Sequence, residues 1–173
     1  MKKTIETERL LLRELLAADA ESMFELNADP PVMKYTGDKP FTHIGQSREV
    51  IESIRQQYQR FGVGRWAAVL KNTNEFIGWA GLKYIHQLNG HQNNYDLGYR
   101  LLQRHWSKGY GTELALACID YGFRELQLSR ISAYADVRHV ASVKILEKCG
   151  LKLTNTFMDE GDLCGWYEIA NPA

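Results

Sequence analysis

The residues with the most legible chemistry are Lys108-Gly109-Tyr110-Gly111-Thr112, two glycines in three positions flanked by a lysine and a threonine. At the start of a helix such a turn can bind an anion. The first N–H groups of a helix have no internal acceptor, glycines let consecutive N–H groups converge without a Cβ in the way, and the helix dipole favours negative charge. Lys108 and the Thr112 hydroxyl are placed to assist, so the turn predicts a phosphate ligand, with a side chain at Gly111 intruding on it. The same residues can also do no more than start a packed helix. Two commoner nucleotide motifs do not fit. The Walker pattern needs Gly-Lys-Ser/Thr after four intervening residues, and the dinucleotide pattern needs a third glycine where Leu114 stands.

Other reactive types form no comparable cluster. Cys118, Cys149 and Cys164 are far apart and lack ligand spacing, which suits thiols used as small core residues in a reducing compartment, with no metal expected. His86, His91 and His105 fall in or beside expected loops and read as solvated.

The turn must be held by a strand before it and a helix behind it. A strand ending near Leu102 precedes it, and the helix that follows carries Leu114, Ala117, Cys118 and Tyr121 on one stripe and Leu116, Ile119 and Phe123 on another. That helix is apolar over most of its circumference, so its N-terminal end is the polar, functional part. Upstream, "TERLLLREL" places Leu10 and Leu12 on one face of a strand. A helix follows with Asp19 as its cap and Pro30-Pro31 as its stop, then a second amphipathic helix from Gln46 to Phe61. "RWAAVLK", "EFIGWAGLKYIH" and "NYDLGYRLL" read as an antiparallel meander. Beyond the glycine turn helix and strand alternate, with closing strands at "LKLTNTFM" and "CGWYEIA". The expected class is mixed α/β.

At 173 residues the chain predicts one domain. Lysine plus arginine equals aspartate plus glutamate at 21 each, for a formal charge of zero, and the signs alternate without blocks. A polybasic surface for nucleic acid or membrane is therefore not expected. No run approaches the roughly 18 apolar residues of a membrane span, and the N-terminus lacks a signal peptide's apolar stretch, so a cytoplasmic protein is expected.

Three motifs in order, "TERLLLREL", "DLGYRLLQRHWSKGYGTELA" and "ASVKILEKCGLKL", resemble the GNAT superfamily of N-acetyltransferases, in the RimJ/RimL-like branch that acetylates the N-terminal amines of ribosomal proteins. The resemblance covers about residues 7 to 169. It implies a mostly antiparallel sheet of about seven strands with about four helices, splayed between the fourth and fifth strands to bind acetyl-CoA. The diphosphate would lie on the backbone of Lys108, Gly109, Tyr110, Gly111 and Thr112, and the pantetheine along Leu101 and Leu102. A backbone N–H near Leu101 would polarise the acetyl carbonyl. Asp96, at the start of "DLGY", would take the amine proton, or else make a strand-edge salt bridge. Gly98 would mark a bulge or a packing contact. Ser142 would donate to the sulfur or bond its own backbone. Tyr35 and Trp79 would line the acceptor side or pack at its rim, and Glu113 would be structural.

The sequence also departs from the family pattern. Trp106 stands at the start of the turn motif where relatives often have glutamine or arginine, His139 replaces an asparagine associated with the pantetheine, and Leu146 replaces a tyrosine that protonates the leaving thiolate. Tyr167 can supply that hydroxyl or belong to its strand pattern. The resemblance implies acetyl transfer to a primary amine in a monomer or homodimer, with a ribosomal-protein N-terminus as the favoured acceptor and no metal. A small amine such as an amino acid, a polyamine or an antibiotic is the second enzyme reading. A catalytically idle acyl-CoA sensor is a reading of another class.

Overall fold

Apolar alternation sets the first strands. Leu10 and Leu12 are fully buried, with Leu11 and Arg13 less so on the opposite face of β2 (Leu10–Glu14). In the computed structural model, which describes residues 3–173, a short β1 (Thr4–Glu6) pairs antiparallel with β2. It is a strand beyond the seven expected. Asp19 sits at the N-terminus of α1 (Ala20–Ala28) without capping it through its side chain. Its carboxylate instead accepts from Arg13 and from the Leu16 N–H. Pro30 and Pro31 end α1 as expected but also begin a short α2 (Pro30–Met33), where a proline's missing N–H costs no helical bond. Helix α3 (Ile44–Phe61) buries Ile51 and Ile54.

The meander follows as β3 (Arg65–Leu70), β4 (Phe76–Leu88) and β5 (His91–Leu101). Then come α4 (Tyr110–Arg124), β6 (Arg130–Asp136), α5 (Val140–Lys148), β7 (Lys152–Asp159) and β8 (Asp162–Ala170). The sheet has eight strands in the order β1-β2-β3-β4-β5-β6-β8-β7. All neighbours are antiparallel except β5 and β6, which α4 joins by a crossover.

Each face of the sheet carries its own core. Leu12, Leu97, Leu114, Cys118, Leu146 and their neighbours pack around α4 and α5, and Met23, Leu26, Ile51, Val69 and Leu102 pack around α1 and α3. The three cysteines are free and buried. No described helix is long and apolar enough to cross a membrane.

The parallel pair positions the site. Strands β5 and β6 share a single register pair, Asp96 with Ser132, whereas β4 and β5 stay paired through to Gly78 with Leu101. Past Asp96 the sheet therefore opens between β5 and β6. The mixed, open sheet has the expected architecture, and the fourth and fifth strands expected to part are β5 and β6 here.

Candidate active site

The opened sheet forms the floor of a cavity of about 530 Å³. Its walls include Gly109 to Thr112 from the turn, His139 and Ser142 from the start of α5, Asp96 and Leu101 from β5, and Tyr35 and Trp79 from the α1 and α3 side. Two candidates fall outside. Leu102 is buried in the α1 and α3 core, and its N–H donates to Ile77 O at 2.9 Å. The exposed Lys108 side chain is not among the lining groups, and its carbonyl accepts from Arg9 at 2.9 Å.

The bond from Leu102 to Ile77 fixes the hydrogen-bond phase of the β4–β5 ladder. Because pairs alternate, Tyr99 and Leu101 point their N–H and C=O groups away from β4, toward the side where β6 has diverged. The Leu101 carbonyl is taken by the Trp106 indole N–H at 2.9 Å, which leaves the Leu101 N–H facing the gap. Trp106 thereby organises the strand end.

At the turn, Gly109 adopts φ +82°, a left-handed conformation that favours glycine, and Ser107 precedes it at φ 58°. The first α4 bond runs from Glu113 N–H to Gly109 O, so the N–H groups of Tyr110, Gly111 and Thr112 lie ahead of the helical ladder. These residues suit a phosphate. Gly111 plays a part beyond the one expected. A Cβ there would come within 2.8 Å of Ile145 Cδ1, so this glycine also lets α4 approach α5. Glu113 is structural: it accepts from Thr7 at 2.6 Å and from the Arg9 backbone and side chain at 3.0 and 2.7 Å.

Asp96 is buried on β5, on the face that carries Arg100. Arg65 Nη2 lies 2.6 Å from its Oδ2, and Arg65 Nη1 donates to the Asp96 and Gly81 carbonyls. Gly98 makes room for this guanidinium, since a Cβ would sit 2.6 Å from Arg65 Nη2, and the β4–β5 register runs through it without a bulge. Oδ1 is buried and makes no hydrogen bond of ordinary geometry among the described residues, although the Tyr134 backbone lies near enough to favour the carboxylate. Burial pushes the carboxyl's pKa up, with Arg65 opposing, which moves it toward use as a base. Trp79 lies between two guanidinium groups, Arg65 at 5.2 Å and Arg100 at 5.1 Å.

On the other wall the Tyr99 hydroxyl donates to Ser142 O at 3.0 Å and lies 3.2 Å from Ser142 Oγ. His139 caps α5, its Nδ1 accepting from Ser142 N–H at 3.4 Å while its ring packs on Tyr35 at 4.9 Å. Burial lowers the imidazole's pKa, with Asp136 opposing, which favours the neutral form that capping requires. Leu146 lines the cavity as a core residue, and Tyr167 is buried in the α4 and α5 core, outside the cavity lining. Of the histidines expected to be solvated, His105 is buried with Nε2 2.9 Å from Glu75. His91 stacks on Trp166 at 4.7 Å, whereas His86 is exposed.

Sequence reasoning missed Arg65, Tyr99 and Arg100. A charged residue opening the apolar strand "RWAAVLK", and Tyr99 and Arg100 directly after Gly98 in "DLGYR", were the available signals.

Known proteins resemble the chain over most of its length. Residues 9–152 match the family described as Acetyltransferase (GNAT) domain. An uncharacterized N-acetyltransferase, p20 of Bacillus licheniformis, is 34% identical over 157 residues, covering 91% of this chain and 86% of its own. A solved GNAT-family acetyltransferase from Bacillus anthracis superposes with a TM-score of 0.82 at 26% identity, over 99% of this chain and 100% of the other. The solved ribosomal L7/L12 alpha-N-protein acetyltransferase RimL, in complex with coenzyme A, shares the fold at a TM-score of 0.78 and 16% identity, over 97% and 98% of the two chains. The chain belongs to the GNAT family, and it is an N-acetyltransferase.

Proposed function

We propose that the protein works in the cytoplasm as one catalytic domain that transfers the acetyl group of acetyl-CoA directly to a primary amine, with a polypeptide N-terminal α-amine as the favoured acceptor class. The observation that carries this reading is the buried, unpartnered Asp96 Oδ1 in the same cavity as the glycine turn. The N–H groups of Tyr110, Gly111 and Thr112 hold the diphosphate, and Leu101 N–H stabilises charge developing on the carbonyl oxygen. The amine nitrogen attacks the carbonyl carbon, its proton passes to Asp96, and the carbon–sulfur bond breaks. The departing sulfur takes a hydrogen bond from Ser142 Oγ–H, beside which the Tyr99 hydroxyl lies at 3.2 Å.

The acceptor class follows from the strength of this base. An α-amine of pKa about 7.7–8.0 is roughly one part in seven neutral at pH 7, whereas a lysine of pKa about 10.4 is far less so. A carboxylate paired with Arg65 suffices for the first and is poorly matched to the second. Competition tests this: a ribosomal-protein N-terminal peptide against a pool of lysine-blocked and small free amines, with thiol release and product mass as readouts. The peptide is expected to capture most of the acetyl groups. Acetylation confined to the polyamines of the pool overturns the acceptor assignment.

A further inference from the structure

Arg100 is the one arginine of the cavity that no carboxylate holds. It extends from β5 toward α1 and α2, where Nη1 donates to Asn27 Oδ1 at 2.7 Å and lies 3.4 Å from Met33 Sδ. Among the described residues it makes no ion pair. Its Nε and Nη2 have no acceptor there either, although the residue lines the cavity. Arg65 differs, being held by Asp96 at 2.6 Å.

The groups facing Arg100 are Trp79, Asn27 and Met33, with Asp38 beyond ion-pair distance on the exposed segment after α2. Burial brings the guanidinium pKa down to about 10, Asp38 opposing and Arg65 adding to it, so Arg100 stays charged at neutral pH. Arg100 is half-buried, and a guanidinium whose free edge faces a cavity with no counter-ion gains from a ligand that brings one. The free edge of the guanidinium, Nε with Nη2, matches the two oxygens of a carboxylate.

The cofactor does not meet this need. Arg100 and Leu101 are adjacent on β5 and point to opposite faces, and Leu101 approaches the position of a Cβ on Gly111 at 4.0 Å, on the side of the turn. The anion is therefore on the acceptor. The opposite wall offers the complementary sign: Asp136 and Asp162 are tied to Arg138, while Asp159 lines the cavity without an ion pair among the described residues. Asp96 and Arg100 lie on one face of β5 with Cα atoms roughly 13 Å apart, so amine and anion are separated by several bonds.

We propose that Arg100 is the anion-recognition residue of the acceptor half, and that the amine acetylated carries a carboxylate several bonds from its nitrogen. This rests on the transferase reading above. The carboxylate belongs either to a free acidic amino acid or to an acidic residue near a polypeptide N-terminus.

Calorimetry on the CoA-loaded protein separates these with two matched pairs, glutamate against glutamine and Ser-Glu-Ala amide against Ser-Gln-Ala amide. The acidic member of one pair is expected to bind at least about ten-fold tighter than its amide, and that pair names the source. Arg100→Gln should bring the preference to within about two-fold, and Arg100→Lys should retain part of it. Equal affinity within both pairs, or no binding of either, overturns the proposal on the wild-type protein alone, as does a preference that survives Arg100→Gln. Thiol release from acetyl-CoA, measured in parallel samples with the same amines, distinguishes the two claims. Release without acid preference removes the anion site and leaves the transferase, whereas acid preference without release does the reverse.

Discussion

The role proposed for Asp96 rests on what surrounds it. Its Oδ2 is engaged by Arg65, its Oδ1 is unpartnered, and burial raises its pKa against the pull of that guanidinium. Asp96→Asn keeps the shape and removes the base, so kcat/KM should fall about 10- to 100-fold at pH 6.5 and less at pH 8.5, where more of an α-amine is already neutral. Acetyl-CoA affinity should persist, which a binding titration checks alongside. Parallel pH profiles for the two proteins would remove Asp96 as the base. Asp96 was legible in the sequence only through the company of "DLGY", because a lone aspartate in a strand has no periodic signature. Arg65 and Arg100 were not legible, since their roles depend on cross-strand neighbours: Gly98 vacates the space for one, and Trp79 lies between both.

The glycine turn is an element property, built by residues from three places in the chain. Arg9, entering β2, bonds the Lys108 carbonyl and pairs with Glu113, while its guanidinium lies 4.3 Å from the Tyr110 ring centroid. Burial alone would raise the Glu113 carboxyl's pKa, but bonds from Thr7 and Arg9 outweigh it and hold it below the ordinary value. The stabilisation is therefore present above the ordinary glutamate pKa of about 4.3 and is lost as pH falls through the lowered folded-state value. Glu113→Ala should destabilise the protein by about 1–3 kcal/mol at pH 7 and weaken acetyl-CoA binding, with wild type and variant converging once the pH falls below the lowered folded-state value. Denaturant melts across pH read this directly, and an equal gap at acid pH would contradict it. The turn and α4 were readable from glycine spacing and apolar stripes. The use of Gly111 was not, because its neighbour Ile145 lies 34 residues further along the sequence. Pro30-Pro31 ended α1 as its chemistry dictates, yet the same rigidity at a first helical turn started α2.

For the whole molecule, the decisive feature is the parallel meeting of β5 and β6 at one register pair in an otherwise antiparallel sheet. Local periodicity supplied nearly every strand and helix, but it carries no information about which strands pair or where they part. Three motifs in family order supplied that, up to the short β1, whose three residues are too few for a pattern. The parted strands place a helix N-terminus, a free strand N–H and a buried carboxylate around one cavity. The central claim is that this cavity takes acetyl-CoA, and thermal unfolding with acetyl-CoA, CoA, ATP and NAD in parallel tests it most directly. At about 100 times its dissociation constant a ligand adds roughly 2.7 kcal/mol, which for a chain of this size raises Tm by roughly 5–10 °C. A shift of that order with acetyl-CoA and CoA alone is the predicted result; no shift with either, or an equal one with ATP or NAD, would contradict the account.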